Sequence, residues 1–263
     1  MALSSKGTAL ITGASSGIGA VYADRLARQG YDLILVARSR GRLNALANHL
    51  SDQTGRSVEV VAADLMNKAD SLRVEQILRN DASITLLVNN AGVGGVMPLL
   101  ASPVDDMAAM VSLNVTALMR LAYAAVPGFV ARGAGTVVNI ASIVAIAPEI
   151  LNGVYGGTKA FVLALSQSMQ HELADKGVRV QAVLPGATAT DFWSEAGNPV
   201  ENLPQEIVMS AEDMVDAALA GLAAGETVTI PGLHDGGQWD RHEAQRKTLS
   251  GLFGNSVAAP RYR

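Results

Sequence analysis

The sequence contains no cysteine, which excludes disulfides, thiolate nucleophiles and cysteine-ligated metals. Aromatic residues form only 4% of the chain and charged residues 17%, and the net charge is −4 without any basic run, which argues against nucleic-acid binding. No apolar stretch reaches the ~18 uninterrupted residues of a membrane span, and the first apolar run is too short for a signal peptide. We therefore expect a cytoplasmic protein that binds neither nucleic acid nor membrane.

Hydrophobic residues, by contrast, form 49% of the 263 residues, enough for the core of one large domain spanning 1–263. Short uncharged runs alternate with longer helical patterns. The runs predicted as strands are Thr8–Ile11, Asp32–Val36, Ser57–Ala62, Thr85–Val88, Thr136–Ile140, Val178–Leu184 and Thr227–Ile230. The predicted helices are Ile18–Gln29, Arg40–Thr54, Lys68–Asn80, Pro103–Arg132, Gly153–Lys176 and Ala211–Ala224. This α/β alternation predicts a doubly wound parallel sheet (a Rossmann fold) of about seven strands with helices on both faces.

Three glycines follow the first predicted strand, where a doubly wound sheet binds its ligand. Gly13 permits a tight turn, Gly17 lets a diphosphate approach the backbone, and Gly19 lets the next helix pack closely on the sheet. Ser15 and Ser16 add hydroxyl donors to the same loop. A glycine-rich turn without a ligand is the alternative interpretation.

The second predicted strand, which ends at Val36, is followed by Ala37 and Arg38. An enzyme that prefers NAD usually carries an acidic residue about here, ~20 residues after the glycines, to hold the ribose hydroxyls. A guanidinium instead suits the 2′-phosphate of NADP through its charge and paired donors. Arg38 therefore favours NADP(H) over NAD(H), and a solvated arginine at a helix start is the alternative.

Polar and small residues also follow the third and fourth strands. Asp64 is expected to accept a hydrogen bond from an adenine amino group while Leu65 flanks the ring, or to cap the next helix. The segment 89–92 is small enough for a dinucleotide to lie against its backbone. Asn89 itself is expected to tie neighbouring strands together through its side-chain amide.

A tyrosine and a lysine follow the fifth strand at helical spacing. Tyr155 and Lys159 are four residues apart, so they share one face of a helix. A nearby cation favours the phenolate, so we expect Lys159 to lower the pKa of Tyr155 and to fit it for proton transfer. Ser142 at the strand end is placed to bond the same substrate oxygen. A surface tyrosine beside an extended lysine is the commoner origin of such a pair. Because Glu149 is the only charged residue between Arg132 and Lys159, however, we expect this lysine to lie inside the protein.

Taken in order, these residues resemble the short-chain dehydrogenase/reductase family, over roughly Lys6 to Thr190. The motifs that carry the resemblance are Thr12-Gly-Ala-Ser-Ser-Gly-Ile-Gly19, Asp64, Asn89-Asn-Ala-Gly92, Asn114, Ser142, Tyr155 with Lys159, and Pro185-Gly186. The departures are small: Thr158 stands where many members have serine, Gly156 and Gly157 leave the helix start barer than usual, and Ala141 replaces a frequent second serine. None of them removes a catalytic group.

The resemblance implies hydride transfer between a nicotinamide and a carbonyl or secondary alcohol. Tyr155 would act as acid/base, Ser142 would orient the substrate oxygen, and Lys159 would also bind the nicotinamide ribose. Asn114 would hold a water that connects Lys159 to solvent. The cofactor residues would be Gly13, Ser15, Ser16, Gly17, Ile18, Gly19, Arg38, Asp64, Leu65, Asn90, Ala91, Gly92, Tyr155, Lys159, Pro185, Gly186, Thr188 and Thr190.

The substrate side is expected to be apolar. Segment 187–209 is predicted to form a mobile lid, and no lysine or arginine occurs from Gly186 to Ser210, which disfavours an anionic substrate. The expected substrate is a small or medium apolar ketone, aldehyde or alcohol. The residues predicted to line its pocket are Val93, Gly94, Val144, Ile146, Phe192 and Trp193.

The remaining expectations concern assembly and rival functions. The long apolar helices favour a homodimer or homotetramer. Residues 232–263 are expected to form a polar extension, in which Asp235, Asp240 and His242 are solvated rather than metal-bound. Two rival functions use the same fold: a catalytically idle NADP sensor, and an epimerase or dehydratase that uses the same tyrosine and lysine.

Overall fold

The computed structural model describes residues 6–263, in which seven strands form one parallel sheet of order β3-β2-β1-β4-β5-β6-β7. The strands are β1 (Thr8–Thr12), β2 (Asp32–Ala37), β3 (Val58–Ala62), β4 (Ile84–Asn89), β5 (Gly135–Ile140), β6 (Val178–Val183) and β7 (Val228–Thr229). Each lies within two residues of its prediction. The predicted seven-stranded parallel fold is confirmed.

Helices cover both faces of this sheet. Their bounds are α1 (Gly17–Arg28), α2 (Arg40–Thr54), α3 (Lys68–Asn80), α4 (Val104–Val111), α5 (Leu118–Arg132), α6 (Gly153–Leu173), α7 (Phe192–Glu195), α8 (Ala211–Ala224) and α9 (Gly237–Ser250). Helices α1, α2 and α8 share a core with Ile11, whereas α3, α5 and α6 share another with the adjacent Leu10. Both strand residues are fully buried, so β1 is covered on its two faces, as expected of a central parallel strand.

The strand order reverses direction between β1 and β4. From β1 the chain builds outward through β2 and β3, and it then returns to place β4 on the other side of β1. The loops that leave β1 and β4 therefore diverge and open a crevice at the carboxyl edge of the sheet. This switch point is where open α/β sheets bind ligands.

The predicted helix Pro103–Arg132 is wrong in one respect, because it is not a single regular helix. Its middle, Ser112–Ala117, is a π-helix that separates α4 from α5. By length and hydropathy alone, the composite 104–132 could cross a membrane, and it is the one such helix among residues 6–263. One face of its later part, from Ala117 to Phe129, packs in the core. Arg120 on the same part pairs at 2.6 Å with Glu75 of α3, and Glu75 is only 3% exposed.

The chain divides into two compact units, one ending at Pro231 and the other comprising Gly232–Arg263. The sheet and all the residues of the predicted site belong to the first. The second contains α9, which has no buried residue, and a ring stack of Trp239 on His242. Within residues 6–263 no three potential metal-binding side chains cluster. The single-domain organisation stays a prediction.

Candidate active site

The loop between β1 and α1 keeps glycines where a side chain would collide with its neighbours. Gly13 and Gly17 adopt positive φ angles of 63° and 52°. A Cβ on Gly13 would lie 2.9 Å from the Ala91 Cα atom, and one on Gly17 would lie 3.0 Å from the Thr190 Cγ2 atom. A Cβ on Gly19 would strike the carbonyl oxygen of Gly13. All three predicted roles for these glycines are compatible with this packing.

The start of α1 is open to an anion. Ser16 is the N-cap residue, but its side chain makes no capping hydrogen bond, so it leaves the first N–H groups of the helix available. By contrast, the caps of α2 and α3 are closed by the side chains of Ser39 and Asn67. Uncapped N–H groups and the helix dipole attract phosphate, so the loop fits a diphosphate.

Thr12 and Asn90 hold the two diverging loops together at the switch point. The Thr12 hydroxyl accepts from the backbone N–H groups of Asn90 and Ala91, both at 3.0 Å, and donates to the Val88 carbonyl. The Asn90 amide in turn donates to the carbonyl oxygens of Thr12 at 3.0 Å and Gly13 at 3.2 Å. These bonds fix the width of the crevice.

Two arginines stand at the end of the crevice beyond β2. Arg38 and Arg42 line the cavity, are exposed, and form no ion pair among the residues that the structure describes. The residue before Arg38 is Ala37, so no carboxylate at this position would repel a phosphate. Two unpaired guanidinium groups suit an anionic group at this end.

Asp64 lines the same end of the cavity but does not cap a helix. The cap of α3 is Asn67, whose side chain accepts from the N–H groups of Ala69 and Asp70. The Asp64 carboxylate instead accepts from the N–H of Met66 at 3.0 Å. The capping interpretation of Asp64 is therefore wrong, because Asn67, directly before the first residue of α3, caps the helix in its place. Leu65 lines the cavity beside it.

Asn89 ties the strands together from below the crevice, as expected. Its side-chain amide donates to the Asn139 Oδ1 atom at 3.0 Å, which joins β4 to β5. The Asn139 amide donates in turn to the Ser166 hydroxyl on α6 at 3.0 Å. All three side chains are buried, so this chain of bonds aligns the strand ends with the helix that carries Tyr155.

Asn114 lies inside the π-helix, and its side chain faces the crevice from behind. Its Oδ1 atom accepts from the Val93 N–H at 2.9 Å, and its Nδ2 atom donates to the Val93 carbonyl at 2.8 Å. The same amide donates to the Thr158 hydroxyl at 3.2 Å, which itself donates to the Tyr155 carbonyl. The π-turn thus links the β4 loop to helix α6, consistent with the frequency of such turns at functional sites.

Ser142, Tyr155 and Lys159 meet at the wall of one cavity of about 490 Å³, which the glycine loop also lines. Asn152 caps α6 by accepting from the N–H groups of Val154 and Tyr155, which sets the direction of the first helical turn. The Lys159 Nζ atom lies 5.7 Å from the centre of the Tyr155 ring and donates to the Ile140 carbonyl at 2.9 Å. The predicted shared helix face therefore exists.

The protonation of this pair differs from the prediction. Burial raises the pKa of Tyr155 to about 12, while a hydrogen bond with Ser142 lowers it. Burial also lowers the pKa of Lys159 to about 8. The expectation that Lys159 brings the pKa of Tyr155 below its ordinary value is wrong for this structure, because desolvation of the phenol outweighs the opposing effects. At neutral pH the phenol holds its proton and is a donor.

The segment predicted as a lid closes one side of the cavity. Its two ends are joined where Met209 donates to the Ala187 carbonyl at 2.9 Å and accepts from the Ala189 N–H at 2.8 Å. Between them lie α7 and two 3-10 turns, Val200–Asn202 and Gln205–Ile207. Trp193 anchors the segment, since it is 8% exposed and its indole donates to the Thr188 carbonyl.

Most of the predicted residues share this cavity, and a few do not. Those in its wall include all the predicted cofactor residues except Gly19, together with Val93, Val144, Phe192 and Trp193. Gly19 lies beneath the loop and Asn114 behind the wall. Gly94 lies under the Phe192 ring, and Ile146 does not line the cavity and is 43% exposed, so neither lines the pocket as predicted.

Some residues of the site escaped prediction. Thr12 and Thr158 do not line the cavity but hold its walls by hydrogen bonds, and they were not proposed as site residues, although a polar residue ending an apolar run and one inside the Tyr-x-x-x-Lys motif were visible signals. Val96, Ile150 and Leu151 also line the wall, come from loops outside the predicted lid and had no sequence signal. The predicted lid segment 187–209 contributes further wall residues, as expected of a segment that completes the pocket: Asp191, Glu195, Asn198, Leu203 and Ile207.

Known proteins share both this sequence and this fold. Residues 7–200 match the family described as short chain dehydrogenase. A short-chain dehydrogenase from Sphingobium yanoikuyae, solved with NADPH, is 49% identical, with 98% of this chain and 100% of that chain covered and a TM-score of 0.95. A bulky-bulky ketone specific alcohol dehydrogenase from Comamonas testosteroni is 44% identical, with 100% and 99% covered and a TM-score of 0.90.

A curated relative gives the same assignment. Serine 3-dehydrogenase from Rhizobium radiobacter is 36% identical over 188 residues, which are 71% of this chain and 74% of that protein. The family match spans well over half of the chain and includes the glycine loop, Ser142, Tyr155 and Lys159. This chain therefore belongs to the short-chain dehydrogenase family of oxidoreductases.

Proposed function

We propose that this protein is an NADP(H)-dependent oxidoreductase that interconverts apolar ketones and secondary alcohols. The observation that carries the proposal is the meeting of Ser142, Tyr155 and Lys159 with the glycine loop in one cavity. A proton donor, a hydroxyl that orients an oxygen, and a dinucleotide cradle are the parts that carbonyl reduction requires.

The choice of NADP(H) rests on three features. The Sphingobium relative was solved with NADPH, and it aligns with 98% of this chain. Arg38 and Arg42 face the cavity with no partner among the described residues, and Ala37 leaves no acid to repel a 2′-phosphate. The uncapped start of α1 and the bare Gly13 and Gly17 would hold the diphosphate.

Bound NADPH supplies the hydride, and the chain supplies the proton and the orientation. Tyr155, protonated at neutral pH, donates its proton to the carbonyl oxygen, and Ser142 holds that oxygen by a second hydrogen bond. Lys159 provides the positive charge in this wall and would bind the nicotinamide ribose hydroxyls. Asn114, with its amide held by Val93 and Thr158, would hold a water that returns a proton to the site.

The substrate is proposed to be an apolar ketone with a sizeable group on each side of the carbonyl. The distal wall combines branched aliphatic residues, including Val144, Leu151, Leu203 and Ile207, with the ring of Phe192. It contains no lysine or arginine besides Lys159, so an anionic substrate lacks a partner there. The Comamonas relative, specific for ketones with two bulky groups, supports this class.

A panel of ketones assayed with NADPH and with NADH tests the proposal directly. We expect oxidation of NADPH that depends on aryl alkyl ketones, with lower kcat/KM for NADH and for keto acids. Binding of NADPH without turnover of any carbonyl compound would favour the sensor, and turnover without net change in the cofactor would favour an epimerase. Either result contradicts the proposal.

Changing Arg38 to aspartate should reverse the preference between the two cofactors. The substitution removes a charge-assisted partner of the 2′-phosphate and introduces an acid that accepts from ribose hydroxyls. The ratio of kcat/KM for NADPH over NADH should fall by about 10–100-fold. Arg40→Asp is the matched control, because Arg40 is exposed nearby but does not line the cavity. An equal effect of both substitutions would mean that net charge, not a specific contact, sets the preference.

We also propose a homodimer or homotetramer formed through α4 and α5. Val104 and Tyr123 on these helices are 78% and 65% exposed, which is unusual for a helix pair whose other side fills the core. Light scattering on the purified protein measures the state. A monomer at micromolar concentration would contradict the proposal.

A further inference from the structure

We propose that Phe192, held in a seat formed by Gly94, sets the upper size of one of the two groups that flank the substrate carbonyl. The proposal rests on the proposed ketone reduction and assigns to Gly94 a role at the site although it does not itself line the cavity. It concerns selectivity between substrates and not the chemical step.

The seat exists because residue 94 has no side chain. A Cβ built on Gly94 would lie 2.7 Å from the Phe192 Cε2 atom and 2.9 Å from its Cε1 atom, and it would strike the Cζ atom. The outer edge of the ring therefore rests directly on the backbone of the β4 loop. Gly94 has no positive φ, so the backbone itself does not require glycine there. Space for the ring is the requirement.

From this seat, Phe192 faces the proton donor. The centres of the Phe192 and Tyr155 rings are 5.8 Å apart, with their planes tilted by 46°. Phe192 is partly buried against the small apolar cluster that contains Tyr155, Val144 and Met110, and it lines the cavity. A group attached to a carbonyl carbon beside Tyr155 would thus meet the face or edge of this ring.

The neighbours of Phe192 decide which side chain can move. Trp193, next along α7, is buried and bonded to the Thr188 carbonyl, and it stacks edge-on against Phe192 at 5.8 Å. Trp193 therefore holds α7 in place, whereas the ring of Phe192 has free space on the side that faces the cavity. A methyl group added at residue 94 would push the flexible end of the side chain into that space, because the tip of the ring moves more easily than the backbone.

The test compares kcat/KM for two ketones, methyl phenyl ketone and isopropyl phenyl ketone, with NADPH. Phe192→Ala should raise the ratio of kcat/KM for the isopropyl ketone over the methyl ketone by about tenfold or more. Even one methylene group that fits or fails to fit an apolar pocket changes kcat/KM by about tenfold or more. Phe192→Leu should give an intermediate ratio. Because leucine keeps much of the apolar side chain, this variant controls for a lid that no longer closes in Phe192→Ala. Gly94→Ala should lower the ratio by about tenfold.

Two further variants separate a seat from a general packing effect. Gly95→Ala adds the same methyl group one residue away, where it would meet the end of Met110 and not Phe192, and the ratio should stay at the wild-type value. Gly94→Ala added to Phe192→Ala should also change nothing, because no ring remains to displace. An equal effect of Gly94→Ala in both backgrounds, or an unchanged ratio in an active Phe192→Ala, overturns the proposal.

The same measurements distinguish this failure from failure of the proposed function. A wild-type protein that reduces neither ketone would overturn ketone reduction, and the selectivity role with it. A wild-type protein that reduces both, with ratios independent of residues 94 and 192, would leave ketone reduction standing and overturn only the role of the seat.

Discussion

Replacing Tyr155 by phenylalanine should lower kcat for ketone reduction by about 10²–10⁴-fold while the Kd of NADPH stays unchanged. The phenol holds its proton at neutral pH, because burial raises its pKa to about 12, and it is hydrogen-bonded with Ser142 in the cavity wall. Single-turnover kinetics, with NADPH binding followed separately by fluorescence, measures both effects. A wild-type kcat in the variant would remove Tyr155 from the reaction.

Tyr22→Phe is the matched control for that loss. Tyr22 is on α1 and lies fully buried in the core, and its hydroxyl has no hydrogen-bond partner among the described residues. The same deletion of one oxygen atom should therefore leave kcat unchanged. It should also raise the free energy of unfolding by roughly 1 kcal/mol, since an unsatisfied buried hydroxyl is removed. A drop in kcat comparable to that of Tyr155→Phe would point to a general effect of removing a phenol.

Replacing Lys159 by methionine should abolish turnover, weaken NADPH binding and yet stabilise the cofactor-free fold. Burial lowers the pKa of Lys159 from its ordinary 10.5 to about 8, which corresponds to about 3 kcal/mol of disfavoured charge at neutral pH. The variant loses the 2.9 Å hydrogen bond to the Ile140 carbonyl, which returns about 1 kcal/mol of that gain. Urea unfolding at pH 7 should show a net gain of roughly 1–2 kcal/mol.

The stability gained by Lys159→Met should depend on pH, because it arises from removing the buried charge of Lys159. Below pH 8 the lysine is charged in both the folded and unfolded states, and the full penalty falls on the folded state. Between pH 8 and 10.5 the folded state is neutral while the unfolded state still binds a proton, so the wild type recovers stability as pH rises. The difference between variant and wild type should shrink through this window.

Lys68→Met provides the comparison, because Lys68 is exposed at the start of α3. Its stability should stay within about 0.5 kcal/mol of the wild type at every pH in the window. A Lys159→Met variant that is destabilised at pH 7, or whose difference from wild type does not change with pH, would contradict the burial of a charged ammonium. Unimpaired NADPH binding and kcat in that variant would remove Lys159 from the site.

Features that depend on neighbours in the chain were predictable from sequence. The glycines after β1, the residues at the other strand ends and the shared face of Tyr155 and Lys159 follow from local pattern and from the rule that parallel strands end at one edge. The order of these motifs along the chain is enough to indicate the family. The place of Arg38 was predictable in the same way, because Arg38 directly follows the last residue of β2.

Features that depend on contacts across the chain were not predictable. The scarcity of charge around Lys159 predicts that this lysine lies inside, but the extent of its burial and of that of Tyr155 depends on the surrounding elements. The raised pKa of Tyr155 and the lowered pKa of Lys159 could therefore not be derived from their spacing. The seat of Phe192 on Gly94 joins residues nearly a hundred positions apart, and only the folded lid brings them together.

The six-residue π-helix at Ser112–Ala117 also constrains how the chain can vary in length. Such a turn holds one residue more than a regular α-helical path, and each added or removed residue rotates everything after it by about 100° about the axis. A deletion that regularised this turn would swing Arg120 away from Glu75 and take the Asn114 amide off Val93. Insertions and deletions should therefore be tolerated in surface loops of this enzyme long before they are tolerated here.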